Sequence, residues 1–356
     1  MSIPLTLPTE RSAAVHGRIL QLDGLRAVAI LAVLVNHTFH TPLTWVGVDV
    51  FFVLSGFLIT GILLARKRAG GSYFSYFYRR RVFRILPAYA MALLLFGLIY
   101  GWSTFHPWPL MAFFGMNFQA VWFPHPNPLP LWSLAVEEQF YLVWPIVILI
   151  VSEAMLLRLA IAAVLLTPIL RALYTPWDHY ISTIYMLTPF RADLLCAGAV
   201  LAICWKDRTP RFEKICRRRA WMGVVAGFGS LILVQFWPIF RIASNTRWSN
   251  GLDYSFSLLG SVSLLAWALA DRSWLRRFLS FRFMRYIGEI SYTMYLIHLI
   301  VHSLIMQRVK SPALEFLIVF AGSVLWASIS WFVMERPLIR FAARGDRRNQ
   351  PRATPA

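Results

Sequence analysis

Residues 22–39 read LDGLRAVAILAVLVNHTF, eighteen residues in which Asp23, Arg26 and His37 are the only ionisable side chains. A run this long and apolar matches the roughly 20 residues that a helix needs to cross about 30 Å of hydrocarbon. The residues before it, with Arg11, His16 and Arg18, lack the short apolar core and small-residue cleavage site of a removable leader, so the run is expected to stay as a span. Working outward from it, comparable stretches recur near 47–65, 85–103, 133–151, 156–173, 187–205, 220–240, 253–271, 290–308 and 314–334. The chain is 58% apolar and only 14% charged, a balance that a water-soluble fold of 356 residues does not show. No polar block is long enough to fold separately. The sequence therefore predicts an all-α, polytopic membrane bundle of about ten transmembrane helices, a single domain over 18–337 flanked by a segment 1–17 and a basic tail 338–356, with both termini cytoplasmic.

The formal charge of +19 raises the question of a nucleic-acid partner, and the placement of the charges answers it. With the N-terminus inside, only Arg171, Arg241, Arg247, Arg308 and Lys310 fall on the outer side, while Arg26 and Arg191 lie within spans; the other 28 of the 35 Lys and Arg residues fall inside. That asymmetry is the positive-inside pattern, and no nucleic acid is needed to explain it. Cys196, Cys204 and Cys216 have neither disulfide nor metal-ligand spacing and are expected to be free thiols. The longest outer segment, 104–132, lacks Lys and Arg and is rich in Pro and aromatics. It suits an interfacial connection or a lid over a cavity equally well. The absence of a visible internal repeat speaks against inverted-repeat transporter architectures.

Asp23, Arg26, His37, Asp49, Glu137, Glu138, Arg191, Asp193 and Glu289 fall within or at the ends of spans. Each such ion costs about 2.5–3.5 kcal/mol at mid-bilayer on insertion scales, so these groups are expected to face one another or a water-filled cavity. Arg26 and His37 are eleven residues apart, which at 100° per residue leaves them within about 20° of each other and about 16 Å apart along the helix. One face thus carries a fixed cation in the cytoplasmic half and, near the outer end, a side chain that exchanges protons near neutral pH. His40 lies one turn further on, which raises a metal-binding pair; no carboxylate has a matching helical spacing, and no metal is expected. On spacing alone, a His at a helix end such as His37 is more often an interfacial or core residue than a base.

The blocks LDGLRAVAILAVLVNHTF (22–39), GVDVFFVLSGFLIT (47–60), YRRRVFRILPAY (78–89), LWSLAVEEQFYLVWP (131–145), IGEISYTMYLIH (287–298) and FVMERP (332–337) together resemble the membrane acyltransferase-three family. They span nearly the whole chain in the family's order, and the hallmark Arg, ten residues, His is matched by Arg26 and His37. The resemblance implies a bacterial inner-membrane O-acyltransferase that modifies glycans such as surface polysaccharides from an acyl-CoA, with acetyl-CoA the expected co-substrate and no bound cofactor. It also implies His37 as the essential base. Some members carry an appended extracytoplasmic hydrolase-like domain; this chain is expected to be a membrane-only form that works alone or hands the acyl group to a separate protein.

A sugar hydroxyl is a poor nucleophile, and a base that removes its proton during attack contributes roughly 10²–10⁴-fold. His37 is the candidate base, and Asp49 is the nearest carboxylate by sequence to orient it; a structural ion pair is the equal alternative for Asp49. Coenzyme A carries three phosphate groups, for which Arg26, Arg79, Arg80, Arg81 and Arg84 are the candidate cations, against ordinary positive-inside anchoring. Glu137, Glu138 and Tyr141, at the start of the fourth span, are candidates for binding a glycan or lipid-linked saccharide acceptor, or for neutralising Arg191 or Arg26. Ser55 beside Gly56 reads as a close-packing position rather than an acyl-accepting nucleophile. Glu289, Ser291, Tyr295 and His298 form a second polar stripe read as structural, and Glu335 with Arg336 a cap on the last helix. The competing function is a transporter or flippase of a glycan or lipid intermediate, and after it a non-catalytic scaffold.

Overall fold

The computed structural model describes residues 19–348, except 42, 71, 103–107, 119–129, 179–181, 242–243 and 307 and the side chains of 182 and 345–348. The segment 1–17, most of the aromatic outer stretch (including His106 and Trp122) and the end of the tail therefore lie outside the described residues. Eleven long helices organise the rest: α1 (Leu20–Phe39), α2 (Val46–Ala69), α3 (Tyr73–Tyr100), α4 (Leu131–Ile150), α5 (Glu153–Tyr174), α6 (Ala192–Lys206), α7 (Pro210–Val234), α8 (Arg247–Ala270), α9 (Arg282–Ile305), α10 (Pro312–Ser330) and α11 (Arg336–Arg348). No strand occurs among the described residues. The protein is an all-α, multi-pass membrane protein.

A helix falls in each of the ten expected stretches, but among the described residues seven helices are long and apolar enough to cross a membrane by length and composition. The other three fall short for identifiable reasons. The helix α6 has only 15 residues, because Thr188–Phe190, with Pro189 inside it, forms a tight 3₁₀ turn just before it. The first turns of α7 hold Arg211, Lys214 and Arg217–Arg219. The helix α9 carries the polar stripe from Glu289 to His298, and much of that stripe is turned into the protein: Ser291, Thr293 and His298 are buried.

The main pairs are α1 against α9, α2 against α6 and α7 against α8, with α10 closing on α9. The α2–α6 crossing is a backbone contact: Gly56 faces the Leu195 carbonyl and Gly198 the Val53 carbonyl, so a side chain at either position would collide with main chain. This is how membrane helices approach closely without a hydrophobic drive between them. The ends of α2, α4, α5 and α6 that meet at one end of the bundle are tied by charge. Lys67 donates to the Ile148 and Val151 carbonyls at 2.6 and 2.9 Å, capping the C-terminus of α4, while Arg68 and Lys206 reach Glu153 at 2.8 and 2.5 Å. Between α10 and α11 the chain makes a π-helical turn, Trp331–Glu335.

Candidate functional site

The cavity of the bundle is assembled from α1, α2, α3, α4 and α9. Arg26, Ser55, Arg81, Arg84, Glu137 and Tyr141 supply its charged and polar wall, and Ser133, Ser291, Tyr292 and Tyr295 continue that wall. Local sequence places each group. Arg81 and Arg84 are three apart on α3 and so share a face. Glu137 and Tyr141 are one turn apart on α4, and the Tyr141 hydroxyl donates to Glu137 at 3.0 Å. Pro145 has no N–H for the Tyr141 carbonyl; the Tyr78 hydroxyl of α3 donates to that oxygen at 3.3 Å, holding the proline-interrupted turn against α3.

Arg81 stands over the Tyr141 ring, 4.4 Å from its centre. Ser55 donates to the other Glu137 oxygen at 2.7 Å. Arg81, Tyr141, Glu137 and Ser55 therefore form one continuous polar chain across three helices. Three guanidinium groups and one carboxylate line the cavity, with Asp23, Glu138 and Glu335 near those cations from behind the wall, so the groups that a ligand would meet are mainly cationic donors. Ser55 is more than the packing position expected of it: Gly56 makes the close contact and Ser55 faces the cavity. Arg80 instead packs on the Tyr76 ring at 4.3 Å, and Glu138 does not line the cavity. Of the candidate donor-binding residues Arg26, Arg81 and Arg84, and of the candidate acceptor-binding residues Glu137 and Tyr141, line this one cavity; Arg79, Arg80 and Glu138 do not. The two sets were expected at opposite depths; Glu137 and Tyr141 lie two to three turns inside α4 rather than at its outer start.

His37 lies at the last turn of α1, beside α9 and outside the cavity wall. Its ring centre is 5.1 Å from that of His298, which is 5.6 Å from that of Tyr295, itself part of the wall. Three rings thus connect His37 to the cavity. His298 was read as structural, and the signal that could have found it is the spacing Ser291, Tyr295, His298, one face of a helix at i, i+4 and i+7. His40 ends α1 in the left-handed conformation at φ 49°, turning the chain toward α2. Among the described residues, no three His, Cys, Asp or Glu side chains gather as a metal site.

Of the two readings of Asp49, partner of His37 or member of a structural ion pair, the structure shows the second. The two Asp49 oxygens accept from Arg191 and, at 2.6 Å, from Ser257, with Asp49 and Arg191 fully buried. Arg171, expected on the outer surface, is also fully buried and pairs with Asp193 at 2.8 Å. These two ion pairs absorb four of the intramembrane charges, and Arg191 is neutralised by Asp49 rather than by Glu137 or Glu138. Glu335, expected as a cap on the last helix, is buried and accepts from Thr293 and Ser330 at 2.7 and 2.8 Å.

The model of the acyltransferase domain family matches residues 19–333, which covers α1 to α10 and leaves out only the end of the π-helical turn and α11. The chain belongs to this family. Among similar proteins of the acyltransferase family, the peptidoglycan O-acetyltransferase OatA of Listeria monocytogenes is 30% identical over 89% of this chain and 55% of its own length. A candidate peptidoglycan O-acetyltransferase of Bacillus subtilis, YrhL, is 29% identical over 91% of this chain and 55% of its length. A candidate O-acetyltransferase of Staphylococcus aureus is 28% identical over 89% and 56%. The chain spans about half the length of these curated relatives. No solved structure matches it.

Proposed function

We propose that this chain is a multi-pass O-acyltransferase of the bacterial cytoplasmic membrane, moving an acyl group, acetyl in the first instance, from a coenzyme A thioester to a hydroxyl of a glycan. Peptidoglycan is the favoured acceptor, because the relatives in Listeria and Bacillus are named for it. The observation that carries the reading is the cavity in which Arg26, Arg81 and Arg84 converge, in a chain of this family. These cations suit the phosphates of the donor, and the pantetheine arm would run from them past Tyr295 toward His37. There the acceptor hydroxyl oxygen attacks the thioester carbonyl while His37 takes its proton. The carbon–sulfur bond then breaks, and the leaving thiolate takes a proton back from the imidazolium. Glu137, hydrogen-bonded to Ser55 and Tyr141, keeps the wall ordered and is the polar contact available to an acceptor sugar. A separate extracytoplasmic protein as the immediate acyl acceptor fits the same chemistry.

The test is mass spectrometry of cell-wall glycans from cells producing wild-type protein, His37→Ala or Arg81→Ala at matched membrane levels. Loss of the ester-linked mass in both variants is the expected result and also identifies the acyl group. An unchanged ester in His37→Ala would overturn the mechanism and favour transport of a glycan intermediate.

A further inference from the structure

His298 is fully buried, and its Nδ1 lies 2.7 Å from the Tyr295 backbone carbonyl. A carbonyl oxygen only accepts, so Nδ1 carries the hydrogen; in a neutral imidazole the lone pair is then on Nε2. That Nε2 is buried and has no hydrogen-bond partner. The titratable groups around this pair of rings are His40 on the α1 side and His302 on α9, which in turn meets Glu315 of α10 at 2.9 Å. His302 is therefore already committed. The neighbouring ring is His37, 5.1 Å away between centres and tilted by 48°. An N–H···N bond of about 2.9 Å between two imidazoles, each nitrogen about 1.1 Å from its ring centre, gives a centre separation of about 5 Å. The rings already stand at that separation, and χ2 is a soft torsion in histidine, so ring rotation is the motion that would bring the two nitrogens into line.

We propose that His298 is a positioning residue for His37: its Nε2 accepts an N–H from the His37 ring and so fixes the tautomer in which the other His37 nitrogen is the base. This rests on the reading of His37 as the base. It gives a neutral histidine the part that a carboxylate plays in a Ser-His-Asp triad, which suits a site where Asp49 is bound to Arg191 and Ser257. It also ties the base to the cavity, since the carbonyl that sets the His298 tautomer belongs to Tyr295, whose hydroxyl is bonded to Ser133 on the cavity wall.

The experiment is nitrogen-15 NMR of the full chain in lipid nanodiscs with ring-labelled histidine, the His37 signals being assigned by their loss in His37→Ala. A single neutral tautomer for His37 is expected in the wild type and in His298→Gln, whose amide oxygen can accept, and a mixture in His298→Phe. A mixture already present in the wild type, or a His37 signal that His298→Phe leaves unchanged, would overturn the proposal. A parallel assay with acetyl-CoA and a chitooligosaccharide as the probe acceptor should show kcat falling at least about tenfold in His298→Phe, within the roughly 10²–10⁴-fold that a general base contributes. The KM for acetyl-CoA should hold, and His298→Gln should recover much of the rate. Because the tautomer measurement needs no turnover, an inactive wild type with a fixed His37 tautomer would sink the functional reading and leave the His37–His298 contact standing.

Discussion

At the residue scale, the charges inside the bundle divide into those that are neutralised and those that face space. Asp49 with Arg191 and Arg171 with Asp193 are fully buried pairs supported by further hydrogen bonds. Removing one member of such a pair costs about 3–5 kcal/mol, because the partner is left as an uncompensated buried ion. Asp49→Ala should therefore lower the thermal midpoint in detergent sharply, and Asp49→Ala combined with Arg191→Leu should recover most of the loss. A single variant with wild-type stability and abolished transfer would instead return Asp49 to a catalytic role. Arg81 faces the cavity, and its planar fork rather than its bare charge suits a phosphate. On the proposed function, Arg81→Lys should raise the KM for acetyl-CoA roughly tenfold, equivalent to about 1.4 kcal/mol, with a smaller change in kcat.

At the scale of elements, the site depends on how closely helices approach. The α2–α6 crossing sets the position of Ser55, one residue before Gly56, and that crossing exists because Gly56 and Gly198 let each helix meet the other's main chain. Gly198→Leu would drive a side chain into the Val53 carbonyl, and overpacking of this kind costs about 1–3 kcal/mol or more. The expected outcome is a loss of monodisperse protein in size-exclusion chromatography, with Gly61→Leu, which meets open space on α2, as the unaffected control. The helix α9 shows the complementary principle. Its polar stripe lowers its hydropathy below that of an ordinary span, yet Ser291, Tyr292, Tyr295 and His298 supply one wall of the cavity and the neighbour of His37. A hydropathy threshold penalises a helix of this kind because it scores composition without knowing which face meets lipid.

For the whole molecule, the basic residues predict an orientation with both termini inside, and the structure adds that several of them are also fastened. Lys67, Arg68, Lys206 and Glu153 gather the ends of α2, α4, α5 and α6 at one end of the bundle into one cluster. In a cysteine-free background, Arg277→Cys should react only with membrane-permeant maleimide in intact cells, and Arg241→Cys with the impermeant reagent as well. The reverse pattern would invert the orientation and place His37 on the cytoplasmic side.

By itself the sequence determined what depends on composition and local periodicity. Apolar runs of bilayer length dictate helices, the asymmetry of Lys and Arg predicts an orientation, and the eleven-residue spacing puts Arg26 and His37 on one face. Six ordered blocks were enough to indicate the family. Only the tertiary structure decided which charges meet. Asp49 and Arg191 are 142 residues apart, and Ser55 and Glu137 are 82 apart. No helical period connects such positions; each pairing is chosen by how the helices cross. Asp49 therefore went to Arg191 instead of His37, Arg26 and Arg81 came to share a cavity with Glu137 and Tyr141, and the ring beside His37 came from α9. Insertion into a bilayer is governed by each segment's own composition, whereas neutralising a buried charge requires a particular neighbour, and that neighbour exists only once the helices have packed.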